Sequence, residues 1–278
     1  MPAPPLPPGR FLELPSGRVT FARVAGSSSA PAVLLLHGWG VTADLNFFGV
    51  YPQLRRYRII APDHPGHGRG SRHERRSPRF TLAGAADDAV GALDALGVER
   101  ALVVGYSMGG AVAQLAARRH PDRVGGLVLC ATACRFRSTA VGASAGALTV
   151  GAALHRQLPA GAGLRAFDAV ARRRSARWGL TGWPAEQVQL AEPSAVLEAL
   201  AELTRFDSRP WLSRVPAPTA VVVTTEDRLV PPVLQAELLT RRPGGHRFDV
   251  AGDHVVCTAA PERFGPVLVR ALGALAQT

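Results

Sequence analysis

The segment VVGYSMGG, residues 103–110, places one serine among three glycines. A serine hydroxyl is a weak nucleophile until a neighbouring base takes its proton. Imidazole is the side chain best matched to that task near neutral pH, and a carboxylate can then fix the imidazole's tautomer. The question is whether position 107 is built to expose such a nucleophile. Residues 101–104, ALVV, are too few and too branched for a helix and read as a buried strand. Residues 111–120, AVAQLAARRH, are good helix formers and stop at Pro121. Ser107 therefore sits in a strand-to-helix turn with almost no residue to spare. Such a turn forces its central residue into a sparsely allowed conformation and demands small neighbours, which Gly105 and Gly109 supply. A structural turn with an incidental serine would use the same glycines, so the rest of the chain must decide.

The elements that would position Ser107 alternate. Residues 10–14 and 18–24 read as a hairpin, and 32–36 as an apolar strand ending at HGWG. A helix is expected over 44–54 and a strand over 57–61, leading into the turn-rich PDHPGHGRGS. Apolar residues at helical spacing predict a helix over 81–96, with Gly97 as its stop. A further strand follows at 124–130. Strands alternating with helices at this spacing indicate βαβ units and a mostly parallel sheet.

The rhythm breaks after Cys134. Residues 139–158 are small and apolar, 164–178 read as a basic helix, and 195–203 as another helical stretch. Alternation resumes with a strand at 219–224, a helix, a strand at 246–250 and a closing helix over 261–275. The expected organisation is a disordered proline-rich lead (1–9), an α/β core (10–134), a helical cap or lid (135–214) and the rest of the core (215–278). An insertion of this kind usually covers the end of the sheet that carries the site. Residues 139–154 are fewer than the ~20 needed to cross a bilayer and full of glycine and alanine, so a buried lid helix is the reading and no stable membrane span is expected.

Composition narrows the classes. The chain has 278 residues, 47% hydrophobic and 19% charged, the balance of an ordinary globular protein. Its formal charge of +11 raises a nucleic-acid or anionic-membrane partner. Every Lys/Arg position is arginine and isoleucine occurs only at Ile59 and Ile60, a pattern of GC-rich coding rather than of a phosphate site. The arginines are scattered apart from small clusters at 72–79 and 172–177, so no nucleic-acid partner is expected. Three cysteines, Cys130, Cys134 and Cys257, show neither a disulfide framework nor metal-ligand spacing. The N-terminus lacks the basic start and apolar core of a signal peptide, and a cytoplasmic location is expected.

In chain order, LLLHGWG (34–40), DHPGHGRGS (63–71), GYSMGG (105–110), TTEDRLVPP (224–232) and GDHVVCTAAPERF (252–264) resemble the oxyanion loop, a glycine-rich loop, the nucleophile elbow, the acid loop and the histidine loop of the α/β-hydrolase superfamily. Singly these are weak signals; five in the family's order are strong, and they cover nearly the whole chain. The resemblance is to the serine-nucleophile, esterase- and lipase-like branch with a helical cap. It implies a mostly parallel eight-stranded sheet flanked by helices with an inserted lid. It also implies Ser107 as nucleophile, Asp227 as acid and His254 as base, in the chain order expected for this fold. Backbone N–H groups of Met108 and Trp39 would form the oxyanion hole, Met108 at a helix N-terminus where the dipole favours an anion.

Rivals stand beside each assignment. Glu226 adjoins Asp227, but Asp227 holds the family's place four residues before Pro231. Asp207 is an alternative acid. Thr224 replaces the glycine common three residues before the acid, and Ala259 stands where many relatives carry glutamate. Asp253 can serve as a local cap or loop anchor. Asp63, His64 and His67 share one polar loop that could hold a metal, although the family implies a structural Asp63. His37 reads as a brace for its loop. Trp178, Trp183 and Trp211 could line an acyl pocket or simply pack.

The expectation is a serine carboxylic-ester hydrolase working through an acyl-enzyme, without metal or cofactor, on a small-molecule ester of short to medium acyl chain. Relatives with aspartate at the elbow, such as haloalkane dehalogenases, are disfavoured by Ser107. Thioesterase, lactonase and cofactor-free perhydrolase chemistry remain open, as does a non-catalytic ligand-binding protein on the same scaffold. A monomer or a homodimer is expected.

Overall fold

Runs such as AVLLL and VGGLVLC carry no charge because a parallel sheet is covered on both faces, leaving no side of the strand for water. The computed structural model describes residues 2–71, 79–136 and 181–276, and among these eight strands make one sheet. They are β1 (Gly9–Glu13), β2 (Val19–Ala25), β3 (Ala32–Leu36), β4 (Arg58–Pro62), β5 (Ala101–Tyr106), β6 (Val124–Cys130), β7 (Thr219–Thr224) and β8 (His246–Val250). Their order across the sheet is β1-β2-β4-β3-β5-β6-β7-β8. Strand β2 runs antiparallel to both its neighbours, and every pairing from β4 to β8 is parallel.

Successive strand residues point to opposite faces, and the two cores divide accordingly. Leu34, Leu36, Val103, Leu127, Leu129, Val221 and Val223 face one core, with helices α2 (Leu82–Asp94) and α3 (Met108–Arg119). Val33, Leu35, Val104, Val128, Ala220 and Val222 face the other, with α1 (Ala43–Phe47) and the last helix. Between β6 and β7 the described residues form α4 (Trp183–Gln189) and α5 (Pro193–Arg205). After β7 come α6 (Pro232–Arg241), α7 (Val256–Ala259) and α8 (Pro261–Leu275). Thr42 and Thr81 cap α1 and α2, their hydroxyls accepting from Leu45 and Gly84 N–H. No helix among the described residues is long and apolar enough to cross a membrane.

The expected strands stand within two residues of the observed ones. The single helix expected over 44–54 does not form. It is divided into α1 and a 3-10 turn at Tyr51–Gln53, where Pro52 has no N–H to continue the first helix and suits the start of a new turn. Helix α4 was not expected, and α5 starts earlier than 195, at Pro193. The basic helix expected over 164–178 and the apolar stretch 139–158 lie outside the described residues.

The turn after β5 is where the sheet meets the site. Ser107 has φ 54° and ψ −116°, a left-handed backbone that L-residues avoid. A Cβ on Gly105 would overlap the Gly109 carbonyl, and one on Gly109 would overlap the Leu36 carbonyl of β3. Both obstacles are backbone, which cannot swing aside. Gly109→Ala should therefore destabilise the fold by roughly 1–3 kcal/mol or more as an overpacking change. Gly273→Ala on α8, where a Cβ meets nothing within 4 Å, should stabilise it by about 0.5–1 kcal/mol. Urea unfolding of the two variants checks both signs; a Gly109→Ala protein as stable as wild type would contradict this description of the elbow.

Candidate active site

In a parallel sheet the loops at the carboxyl ends of the strands gather at one edge, and side chains far apart in sequence meet there. Ser107 follows β5, the Asp227 loop follows β7 and the His254 loop follows β8. His254 Nε2 lies 2.9 Å from Ser107 Oγ, and its Nδ1 lies 2.7 Å from Asp227 Oδ2. The Asp227 side chain is fully buried while that of His254 is 15% exposed, so the relay runs from the interior to the pocket wall. Asp227 Oδ1 accepts from Leu229 N–H and Val230 N–H at 2.8 and 2.9 Å. Its Oδ2 also receives the Thr224 hydroxyl at 2.9 Å and the Gln235 amide at 3.2 Å.

The rival acids are placed elsewhere. Glu226 is exposed, and Asp207 makes a two-pronged pair with Arg209 at 2.9 and 2.5 Å. Asp253 anchors the histidine loop, accepting the Val255 N–H at 3.0 Å. From below, the Tyr106 hydroxyl donates to the His254 carbonyl at 2.9 Å, tying the end of β5 to the histidine loop.

The loop after β3 closes the other side. Gly38 N–H donates to Asn46 Oδ1 at 2.7 Å, and a Cβ at Gly38 would crowd that same oxygen and lie in contact with Ser107 Cβ. Met108 opens α3, so its N–H is among the first-turn donors that a helix leaves without an internal acceptor. Trp39 lines the same pocket as Ser107, and its indole N–H donates to the Val196 carbonyl of α5 at 2.7 Å. The pocket holds about 70 Å³ between Gly38, Trp39, Val41, Leu45, Leu229 and Val255, beside Ser107 and His254. No described lining residue carries a carboxylate, ammonium or guanidinium group. Trp183 packs on Phe48 with Val41 and Leu45, and Trp211 packs on Phe206, and neither lines the pocket beside Ser107; Trp178 lies outside the described residues.

The polar loop after β4 is a brace. Asp63 accepts from Ala43 N–H and Arg69 N–H at 2.8 and 2.9 Å, although burial pushes its carboxyl up to about 6. His64 N–H donates to His37 Nε2 at 2.9 Å. That leaves the His37 proton on Nδ1, which donates to the Gly38 carbonyl at 2.8 Å and fixes a neutral tautomer. No cluster among the described residues has the donors to hold a metal ion. Asn46, Tyr106 and Gln235 escape sequence reading because each acts through a partner that only the fold brings near.

The sequence profile of the family described as alpha/beta hydrolase fold matches residues 31–257. The chain belongs to this family. It is 32% identical over 210 residues to a pimeloyl-[acyl-carrier protein] methyl ester esterase of Chromobacterium violaceum, covering 72% of this chain and 78% of that one. Among solved structures, the enol-lactonase of Burkholderia xenovorans LB400 superposes with a TM-score of 0.77 at 20% identity, over 95% of this chain and all of the other (100%). A thermophilic esterase of Thermogutta terrifontis gives 0.76 at 22% identity, over 96% and 99% of the two chains. At these identities the structural likeness concerns the fold alone. The chain is an α/β-hydrolase enzyme, and esterases and other hydrolases are among the proteins it resembles.

Burial makes the brace acid-sensitive. Desolvation, with His67 adding to it, holds His64 down to about 3, and His37 well below its ordinary range. A depressed folded-state value means that the unfolded chain binds the proton first. The stabilising contribution is therefore complete above about pH 6.5 and is lost as pH falls toward 3. Asp63 acts oppositely: its raised value favours the folded state at acid pH and is lost as pH rises through about 6. The comparison is thus between variants. His64→Gln should lose less stability than wild type between about pH 7 and pH 4, the difference reaching on the order of 3 kcal/mol. Urea unfolding across that range checks it, and parallel curves would contradict a neutral imidazole at this position.

Proposed function

We propose that this enzyme hydrolyses carboxylic esters through an acyl-enzyme on Ser107. The observation that carries the reading is the unbroken line of hydrogen bonds Ser107–His254–Asp227 at 2.9 and 2.7 Å, opening on an apolar pocket. His254 Nε2 takes the Ser107 proton as Oγ attacks the ester carbonyl, and the C–O π electrons move onto the carbonyl oxygen. That oxyanion is received by the N–H groups of Met108 and Trp39, at the N-terminus of α3 where the helix dipole adds to them. The tetrahedral centre collapses, the alcohol departs with the proton from His254, and the acyl group stays on Ser107. Water, deprotonated by His254, releases the acid and restores the serine. Asp227 holds the tautomer with the proton on Nδ1 and stabilises the imidazolium formed in each half.

The lining supports an uncharged acyl group, since no described wall offers a carboxylate or guanidinium partner. The single glycine before Trp39 in HGWG leaves a side chain where relatives with a GGG loop have none, so we read the alcohol side as narrow and suited to primary alcohols. Each acyl methylene buried adds up to ~0.8 kcal/mol until the pocket is full.

Ser107→Ala should abolish both fluorophosphonate labelling and esterase activity. Asp227→Asn should lower kcat on the order of 10⁴-fold, while Glu226→Gln and Asp207→Asn stay within about tenfold. In a series of acetate, butyrate, octanoate and palmitate esters, kcat/KM should peak at medium length, with tert-butyl acetate nearly untouched. A crippling Asp207→Asn would move the acid to another strand. Best activity on acetate would overturn the pocket reading.

A further inference from the structure

Thr224 departs from the glycine usual three residues before the acid, and the structure gives the departure a use. Thr224 and Gln235 are fully buried, at the end of β7 and on the first turns of α6. Their hydrogen roles are fixed by their partners. Gln235 Oε1 accepts the Thr224 N–H at 3.0 Å, so the amide nitrogen must face the other way. That nitrogen donates to the Val230 carbonyl and to Thr224 Oγ1, both at 2.7 Å. A hydroxyl has one proton, and because Thr224 Oγ1 accepts from Gln235 its own proton goes to Asp227 Oδ2 at 2.9 Å.

We propose that Thr224 and Gln235 are positioning residues that set the plane of the Asp227 carboxylate and thereby aim His254 at Ser107. Backbone N–H groups of Leu229 and Val230 hold only Oδ1. Both oxygens turn together about the Cβ–Cγ bond, a soft and roughly two-fold torsion, so donors on Oδ2 as well as on Oδ1 narrow the range of planes the carboxylate samples. Oδ2 is the oxygen that receives His254 Nδ1, so the direction of its lone pairs sets the imidazole plane. The Thr224 hydroxyl takes the second acceptor direction of Oδ2, and Gln235 Nε2, 3.2 Å from Oδ2, shares with it a proton given mainly to Thr224 Oγ1, so the pair narrows that range. A glycine at 224 offers no such donor. The inference rests on reading Ser107, His254 and Asp227 as one catalytic relay.

The alternative is that the pair only fastens α6 to β7. The two differ in what a near-isosteric change does. Thr224→Val keeps shape and backbone bonds and removes the hydroxyl alone, while Thr224→Ser keeps the hydroxyl and removes a methyl. Steady-state kinetics on p-nitrophenyl butyrate, with thermal melting of each variant, separate them. Thr224→Val should lower kcat by about 10- to 100-fold, the scale of a small misplacement of a catalytic group, with KM within about twofold. Thr224→Ser should return kcat to within about threefold of wild type. Gln235→Leu should act as Thr224→Val does; if it does not fold, the two Thr224 variants carry the test. A folded Thr224→Val enzyme with wild-type kcat overturns the proposal, and so does a loss that Thr224→Ser fails to restore. Full activity in Ser107→Ala is a different result, since it overturns the relay itself.

Discussion

Everything at this site hangs from one strained backbone conformation. A serine at φ 54° and ψ −116° costs on the order of 1–3 kcal/mol relative to an ordinary turn, and persists only if its surroundings over-determine it. They do so from three sides. Ser107 N–H donates to the Cys130 carbonyl of β6, Gly110 N–H returns to the Ser107 carbonyl, and the Thr132 hydroxyl donates to that same carbonyl at 2.8 Å. The glycines at 105 and 109 are the steric counterpart, since α3 can leave β5 so abruptly only where no Cβ stands between them and the β3 backbone. The result presents one hydroxyl and one helix N-terminus at the same point, which an acyl-transfer site requires.

Around that point the loops are held by contacts between elements far apart in sequence. Trp39 reaches α5, Asn46 reaches both Gly38 and Cys257, and Tyr106 reaches the histidine loop. In the first turn of α1, the buried Asp44 is held by the Arg23 guanidinium at 2.8 and 2.9 Å and by Arg69 at 2.6 Å. Stripping a buried carboxylate of its cations costs about 3–5 kcal/mol, far more than breaking an exposed pair, and here two guanidinium groups share that task. The surface pair Arg247–Asp249, about half exposed on both sides, contributes little by the same argument. Rigidity is thus concentrated beneath the pocket.

The sheet was legible because its strands are buried on both faces and so read as short apolar runs between turn residues. The run 124–130 is observed over the same residues as expected. Strand β8 is polar and largely exposed, yet the resumed alternation of strand and helix marked its place. Local pattern failed at 44–54, where the expected helix runs through Pro52, which cannot continue a helix and opens a separate 3-10 turn. At the site, motif order located Ser107, Asp227 and His254, which the fold brings within hydrogen-bonding distance. It misjudged Thr224, which counted as a blemish in the acid loop and is a donor to the acid. Gln235 left no signal because a glutamine on a helix is ordinary until the fold buries it against a carboxylate. Residue type can be read from a motif, but donor and acceptor roles appear only when every partner is known.

The central claim is that an acyl group passes through Ser107. Mixing the enzyme with excess p-nitrophenyl butyrate, quenching in acid within the first turnover and mapping the digest by mass spectrometry tests it directly. The account predicts a burst of nitrophenol close to one per chain and a butyryl group on the peptide that contains Ser107. Nitrophenol release with that peptide unmodified, or with the acyl group on another residue, would contradict it.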